Sequence, residues 1–469
     1  MMTEQQKKDF RVINDDSLKV LPTFEANSID AIVTDPPYEL GFMGKKWDAT
    51  GIAYNVDLWK EALRVLKPGG YLLAFGGSRT FHRIACAIED AGFEIRDCIM
   101  WLYGSGFPKS HNVGLDIDKL QGCENRGHRI AVANRYHPDG TLEPNGEQLE
   151  KYEGKTEDGK KWAGYGTCLK PAYEPIIMAR KPIEGTVAKN CLKYGVGAIN
   201  IDECRVDYNG EVPNIGGRAK HTRGEGYGFK ALGENCVANT DGRFPANVIH
   251  DGSSEAVSGM PESVGGSGKG FKKDDYKDEG NIFKRGDFVP YNDDGSASRY
   301  FYCAKASKKD RDEGLKNFEE KESHKKGNGL DRVCEFCGVS QLTPELCHCE
   351  VKSWVAKPRK NIHPTVKPVE LMQYLVRLVS PKGSTILDIF NGSGSTGKAV
   401  AFENRERDAN YKYIGIELDP EYCTISEARI DYALNKYQYD IQEEIEELHA
   451  NGQMSIFDFG VLGDEEDGK

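Results

Sequence analysis

Two short stretches carry residue types that could do chemistry, and they lie far apart in a chain of 469 residues. The first is Asp35-Pro36-Pro37-Tyr38. The Asp35 carboxylate and the Pro36 carbonyl can each accept one N–H of an amine whose lone pair is delocalised into a ring. That would hold a poor nucleophile with its lone pair aimed at an incoming methyl group, by positioning and electrostatics. Pro37 stiffens the carbonyl geometry. Tyr38 can stack on a base rotated out of a duplex, a contact of roughly 1–3 kcal/mol. The second stretch is Asn391-Gly392-Ser393-Gly394-Ser395-Thr396-Gly397, a glycine-rich turn of the kind that approaches nucleotides. Each has a plainer use, the first as a strand-end turn with a surface acid.

Both stretches need elements that place them. Ser28 to Thr34 is largely β-branched and apolar and reads as a buried strand, which the two prolines must end. In open α/β sheets ligands bind at that edge. Further strands are expected at Phe10–Ile13, Tyr71–Phe75, Ile95–Tyr103, Tyr173–Arg180, Ala198–Asp202, Ser298–Lys305, Ser384–Phe390 and Tyr413–Asp419. Helices are expected at Leu18–Leu21, at Tyr54–Leu66 before Pro68-Gly69-Gly70, at Phe81–Ala91 before Gly92, and as an amphipathic helix at Val369–Val379. The alternation predicts an α/β fold with a doubly wound, mostly parallel sheet. Gly41 to Asp48, with Phe42 and Trp47, reads as a lid or as an ordinary surface loop, and Trp101 to Ser110 as a pocket wall or a packed turn. Residues 121–166 read as an insertion. Asn209 to Ser298 is polar and turn-rich, too long for one loop, with an ordered stretch expected at Arg243–His250.

The formal net charge of −12 argues against a nucleic-acid partner at first. From Glu443 onward, however, nine acids face one lysine, so the rest of the chain carries only −4. Lys352 to Lys367 holds Lys352, Lys357, Arg359, Lys360 and Lys367 with no acid, a local patch suited to phosphates. No run of 18 apolar residues occurs and the N-terminus has no apolar signal core, so a cytoplasmic location is expected. The 13 cysteines are odd in number, which favours thiols or metal ligands over a disulfide framework. Cys334, Cys337, Cys347 and Cys349 form two close pairs with the ligand spacing of a structural zinc site, with His348 an alternative ligand. Such an ion would staple a small subdomain at about 333–350.

The Asp35 corner resembles the catalytic loop [D/N/S]-P-P-[Y/F/W] of amino-methyltransferases that modify DNA bases. The distal turn fits the first seven positions of a P-loop, Gly392 to Lys398, but Ala399 stands where a P-loop needs Ser or Thr. Phe390, Gly392 and Gly394 instead match the family's Phe-x-Gly-x-Gly loop, and an acid about twenty residues on, Glu417 with Asp419 as runner-up, would bind ribose hydroxyls. The resemblance implies S-adenosyl-L-methionine as cofactor, bound by Asp16, Asp35, Lys367, Asp388, Phe390, Gly392, Gly394, Glu417 and Asp419. Asp16, with Asp15 as rival, serves equally well as a helix N-cap. His363-Pro364-Thr365-Val366-Lys367-Pro368 resembles the family segment beside the cofactor, and Glu174-Pro175 a family pair in a comparable strand.

Catalytic corner first and cofactor loop last resembles the circularly permuted β group of this family. It implies a catalytic half at 1–201, a target-recognition region at 202–352 and a cofactor-binding half at 353–440, with an acidic tail at 441–469. The implied activity is methyl transfer to adenine N6 in double-stranded DNA with a flipped base, by a bacterial or phage-encoded enzyme of restriction-modification type. The alternatives are cytosine N4, a catalytically dead zinc-containing DNA-binding protein, or methylation of RNA or protein glutamine. Gln453-Met454-Ser455-Ile456-Phe457 resembles peptides that bind the replication sliding clamp, and packing back onto the enzyme would serve its apolar residues equally well.

Overall fold

The computed structural model describes residues 2–41, 46–104, 106, 110–123, 134–136, 142–144, 152–208, 241–263, 295–304, 310–321, 332–334, 349, 354–356 and 360–441. Contacts divide the chain into two units. One comprises Met1–Tyr103, Glu174–Phe318 and His363–Lys469; the other comprises Gly104–Tyr173 and Glu319–Ile362.

The first unit is built on a nine-stranded sheet. In chain order its strands are β1 (Phe10–Asn14), β2 (Ile29–Thr34), β3 (Leu66–Phe75), β4 (Glu94–Leu102), β5 (Tyr173–Arg180), β6 (Val248–His250), β7 (Tyr302–Cys303), β8 (Thr385–Asp388) and β9 (Lys412–Glu417). In space they run β1-β9-β8-β2-β3-β5-β4-β6-β7, so the last two strands of the chain lie between the first and the second. The pairs β1/β9, β9/β8, β8/β2 and β2/β3 are parallel, whereas β3/β5 is antiparallel.

Side chains alternate across β3 as a pleated strand requires. Leu72 and Ala74 join a core with helices α1 (Val56–Val65) and α2 (Phe81–Asp90). Tyr71, Leu73 and Phe75 join a core on the other face with α4 (Val369–Val379) and α5 (Ser395–Arg407), which follow α3 (Val187–Tyr194) in the chain. Helix α6 (Pro420–Leu434) packs beside α5. No helix among the described residues is long and apolar enough to cross a membrane.

Several expectations are corrected. Pro68-Gly69-Gly70 does not separate helix from strand: α1 ends at Val65 and β3 already begins at Leu66. The glycines let the strand pass close to its neighbours. Gly69 has φ +81, and a Cβ there would sit 2.2 Å from Asn190 Nδ2, while a Cβ on Gly70 would meet the Asp30 carbonyl at 2.8 Å. Ala198–Asp202 forms no strand; Asn200 N–H donates to the Leu378 carbonyl instead, and Asp202–Cys204 is a 3-10 turn. Among the described residues of the Ser298–Lys305 stretch only Tyr302–Cys303 is strand, and Ala297–Tyr300 is a 3-10 turn. Helix α4 has the expected bounds but is buried all round except at Glu370, because both α5 and the sheet cover it.

The second unit contains helices Val113–Leu120 and Glu157–Lys161 and two hairpins, Asn134–Tyr136 with Leu142–Pro144 and Arg332–Cys334 with Trp354–Ala356. Its packing is organised by Asp118, fully buried, whose carboxylate accepts from Lys155 N (2.8 Å), Thr156 N (3.0 Å) and Thr156 Oγ1 (2.7 Å). The Tyr152 hydroxyl, which also donates to this carboxylate, and these donors together push the Asp118 carboxyl well below the usual range despite the opposing effect of burial.

Candidate active site

The parallel register brings the two distant stretches to one sheet edge. Leu387 of β8 pairs with Ile32 of β2, so Asp388 and Thr34 end neighbouring strands. Thr34 Oγ1 donates to Asp388 Oδ1 (2.7 Å), Thr396 Oγ1 to Asp388 Oδ2 (2.6 Å) and Phe390 N to Oδ1 (3.1 Å). Burial pushes the Asp388 carboxyl up to about 6 in spite of these donors. One carboxylate thus welds the Asp35 corner to the glycine turn.

Asp35 leaves the fully buried β2 and meets Lys367, whose ammonium donates to Asp35 Oδ2 at 2.6 Å and lies 3.3 Å from Glu174 Oε2. Only 8% of the Lys367 side chain is exposed, against 20% for Asp35 and 19% for Glu174. The ammonium also faces the Tyr38 ring (5.3 Å) and the Phe75 ring (4.9 Å), a cation–π arrangement. Burial opposes its charge, but Asp35 and Glu174 more than offset this and hold it above the ordinary lysine range. Burial raises the Asp35 carboxyl, with Lys367 pulling it back down. Burial and the two carboxylates push the Tyr38 hydroxyl far up, so it stays a donor, to Glu174 Oε2 at 2.8 Å. Tyr103 also faces Glu174, and burial raises its hydroxyl. Asp35 Oδ1 is buried and has no hydrogen-bond partner. A buried acceptor left unpaired costs about 1–3 kcal/mol, which a ligand N–H would recover.

At the glycine turn, Gly392 (φ +52) and Gly394 (φ +74) hold the left-handed backbone that begins α5. A Cβ on Gly394 would lie 2.3 Å from Ser426 Oγ, and one on Gly392 would lie 2.9 Å from His363 Nε2. Glu417 Oε2 accepts Gly392 N (2.7 Å) and its Oε1 accepts Asp419 N (2.9 Å), with burial raising the carboxyl. Asp419 caps α6 instead, accepting Glu421 N at 2.9 Å. Asp16 caps the short helix Ser17–Val20, accepting Leu18 N at 2.9 Å, the N-cap use the sequence left open. Ser17 Oγ donates to the Ile389 carbonyl at 2.6 Å, which brings the exit of β1 beside Phe390. The two glycines of the turn, an acid facing it and an orphaned acceptor on the same edge suit a small charged nucleoside cofactor and an amine.

Lys398, the lysine of the P-loop alternative, is fully buried and committed to Asp310 and Glu313, at 2.5 and 2.8 Å. That alternative loses its phosphate ligand. Lys367, counted in the basic patch, is a pocket cation rather than a surface charge. The base of the Gly41–Asp48 loop is latched, with Gly41 N donating to the Asp48 carbonyl (2.8 Å) and Glu39 N to Asp48 Oδ1 (3.0 Å); Phe42 lies outside the described residues. So do Cys337, Cys347, His348, most of 209–294 and the peptide Gln453–Phe457. Cys334 is buried and Cys349 half-buried, and no metal-holding group of three or more ligands occurs among the described residues.

Sequence reasoning passed over Glu174 as a site residue. The signal was present in Glu174-Pro175 at the start of β5, but only the antiparallel pairing of β5, with Ile176 opposite Phe75, brings it to the same edge as Asp35.

A family model for DNA methylases, covering N6 and N4 enzymes, matches residues 29–428. The type II methyltransferase M.HindIII of Haemophilus influenzae is 24% identical over 233 residues, 40% of this chain and 64% of that protein. M.HpaI of Haemophilus parainfluenzae is 35% identical over 111 residues, 22% of this chain and 34% of that protein. The chain thus spans less than two thirds of these relatives' lengths. Among solved structures, the cytosine-N4-specific PvuII DNA methyltransferase aligns at 12% identity over 91% of this chain and 93% of that one, with a TM-score of 0.36.

Proposed function

The chain belongs to the N6/N4 DNA methylase family, and on that premise we propose that it transfers a methyl group from S-adenosyl-L-methionine to adenine N6 in double-stranded DNA. The observation that carries this reading is the unpartnered, buried Asp35 Oδ1 on the sheet edge shared with Gly392, Gly394 and Glu417. Bound S-adenosyl-L-methionine supplies an electrophilic methyl group. Glu417 and the bare Gly392–Gly394 backbone would hold it, with Phe390 and the β1 exit around Asp16 beside them. Asp35 Oδ1 accepts one N–H of the flipped base and the Pro36 carbonyl the other. Tyr38 stacks on the ring. Lys367 occupies Oδ2 and keeps Asp35 ionised, so that Oδ1 remains an acceptor and the amine lone pair stays free.

Asp at the first catalytic position favours adenine over cytosine N4. Under the same reading the fold is circularly permuted, residues 202–352 contain the recognition region, a zinc ion staples Cys334, Cys337, Cys347 and Cys349, and Gln453–Phe457 binds a sliding clamp. Metal analysis of the purified chain tests the zinc, with about one ion per chain expected and none in a Cys334→Ser variant. Nucleoside mass spectrometry of DNA from cells expressing the protein tests the reaction. N6-methyladenine above the background of non-expressing cells is expected; N4-methylcytosine would move the assignment to cytosine, and the absence of both would overturn the enzyme.

A further inference from the structure

A second buried charge cluster sits on residues 310–315, the segment downstream of β7. Asp310 Oδ1 receives Lys398 Nζ at 2.5 Å and Arg429 Nη2 at 3.5 Å, and the Asp310 carbonyl accepts from Arg429 at 3.2 Å. Both cations are fully buried. Arg429 reaches past Asp310 to the glycine turn, donating to the Ser393 carbonyl (2.6 Å), Ser393 Oγ (3.1 Å) and Ser395 Oγ (3.3 Å). On its other side, Asp310 Oδ2 accepts Val369 N at 3.0 Å, capping α4, whose own N-cap, Pro368, offers no side-chain acceptor. The neighbouring Arg311 donates to the His363 carbonyl. Val369 and His363 flank Lys367, the residue that grips Asp35.

One carboxylate therefore holds two things at once, the turn assigned to the cofactor and the arm assigned to Lys367. A buried ion cluster is weak grounds for stability, because apolar side chains of similar volume often serve as well. The best-attested use of such a cluster is instead to fix the register of the elements it joins.

We propose that Asp310 is a positioning residue of the methyl-transfer site, coupling the Gly392–Ser395 turn to the His363–Lys367 arm so that occupancy of the turn tightens the grip of Lys367 on Asp35. This deepens the proposed function and rests on it. Two ligands that bias one shared arrangement are linked by a coupling free energy, commonly worth 5- to 150-fold in affinity.

The test uses the full chain, with S-adenosylhomocysteine as probe, and combines calorimetry with hydrogen exchange. In the unsubstituted protein, the probe is expected to slow exchange at 310–315 and 363–369 as well as at 392–396. Exchange slowed at 392–396 alone overturns the proposal. In Asp310→Asn the dissociation constant is expected to rise on the order of tenfold, with 363–369 and 392–396 losing protection together. Glu313→Gln, which loses its ion pair to Lys398 and a through-space attraction on Arg429 but leaves every hydrogen bond of Arg429 and of Val369 in place, is expected to bind the probe within about twofold of the unsubstituted chain. An equal loss in both variants would mean that buried charge in general is at work, and would overturn the specific role of Asp310. If the unsubstituted chain binds no probe, the cofactor reading fails by itself. Ligand-free exchange then still decides: joint loss at the two segments in Asp310→Asn supports the coupling, and loss confined to either one overturns it.

Discussion

Replacing Lys367 by Met removes the ammonium while keeping most of the buried stem. The Asp35 contact is 2.6 Å. At an effective dielectric of about 20 that is roughly 6 kcal/mol of attraction, much of it offset by the cost of burying both groups. If a third survives, about 2 kcal/mol of preference for ionised Asp35 disappears, equivalent to roughly 1.5 pKa units. Asp35 and Glu174 are then left facing one another, and the like charge pushes in the same direction. Since transfer needs Asp35 ionised, the acid limb of the kcat–pH profile in Lys367→Met should move up by at least about one pH unit. Activity at neutral pH should fall by at most about 30-fold, the most that a shift of this size can take from the ionised fraction, and recover in alkaline buffer. Methyl transfer measured across pH with S-adenosyl-L-methionine saturating, and S-adenosylhomocysteine affinity measured in parallel, form the assay. An unmoved acid limb in a variant that still binds the probe would refute the role given to Lys367.

Glu174→Gln should do the opposite. It removes the like charge that raises Asp35 while keeping an acceptor for Tyr38, so the acid limb should shift to lower pH with kcat largely retained. Gly394→Ala places a Cβ 2.3 Å from Ser426 Oγ at a φ of +74. It should raise the calorimetric dissociation constant for S-adenosylhomocysteine tenfold or more, because left-handed backbone alone costs about 1–2 kcal/mol and the clash adds to it. His363 is held down to about 3 by burial. An unfolded histidine takes up its proton near 6.5 and the folded one does not, so its contribution to stability is present above about 6.5 and is lost as pH falls toward 3. Denaturant unfolding at pH 7 and 5 should therefore show an acid loss that His363→Asn reduces by about 2 kcal/mol.

How much of this was legible without coordinates depended on whether the signal was local. The β2 strand and its proline stop, the strand–turn–helix at Gly392, and α4 all announce themselves within a dozen residues. The pairing of β5 does not. Its sequence specifies a strand but not its direction, and direction alone decides which end of Tyr173–Arg180 reaches the site. Leu66–Pro68 looked like a helix end because Pro and Gly break helices. Here they let a strand run tightly against Asp30 and Asn190, partners more than 30 residues away. Asp310 sat in a run of mixed charges where a solvated surface is the usual outcome, and only the burial of Lys398 and Arg429 from distant helices gives it a task. Asp16 could cap or bind, and the cap is what its own backbone offers first.

The central claim is that an amine is gripped at Asp35 while a methyl donor lies on the Gly392 turn. Its most direct test pairs two readouts on one variant, Asp35→Ala: methyl transfer from labelled S-adenosyl-L-methionine to DNA, and calorimetric binding of S-adenosylhomocysteine. The expected result is transfer below detection with the dissociation constant within a few-fold of the unsubstituted chain. Asp35→Ala protein that methylates DNA at the full rate would contradict it.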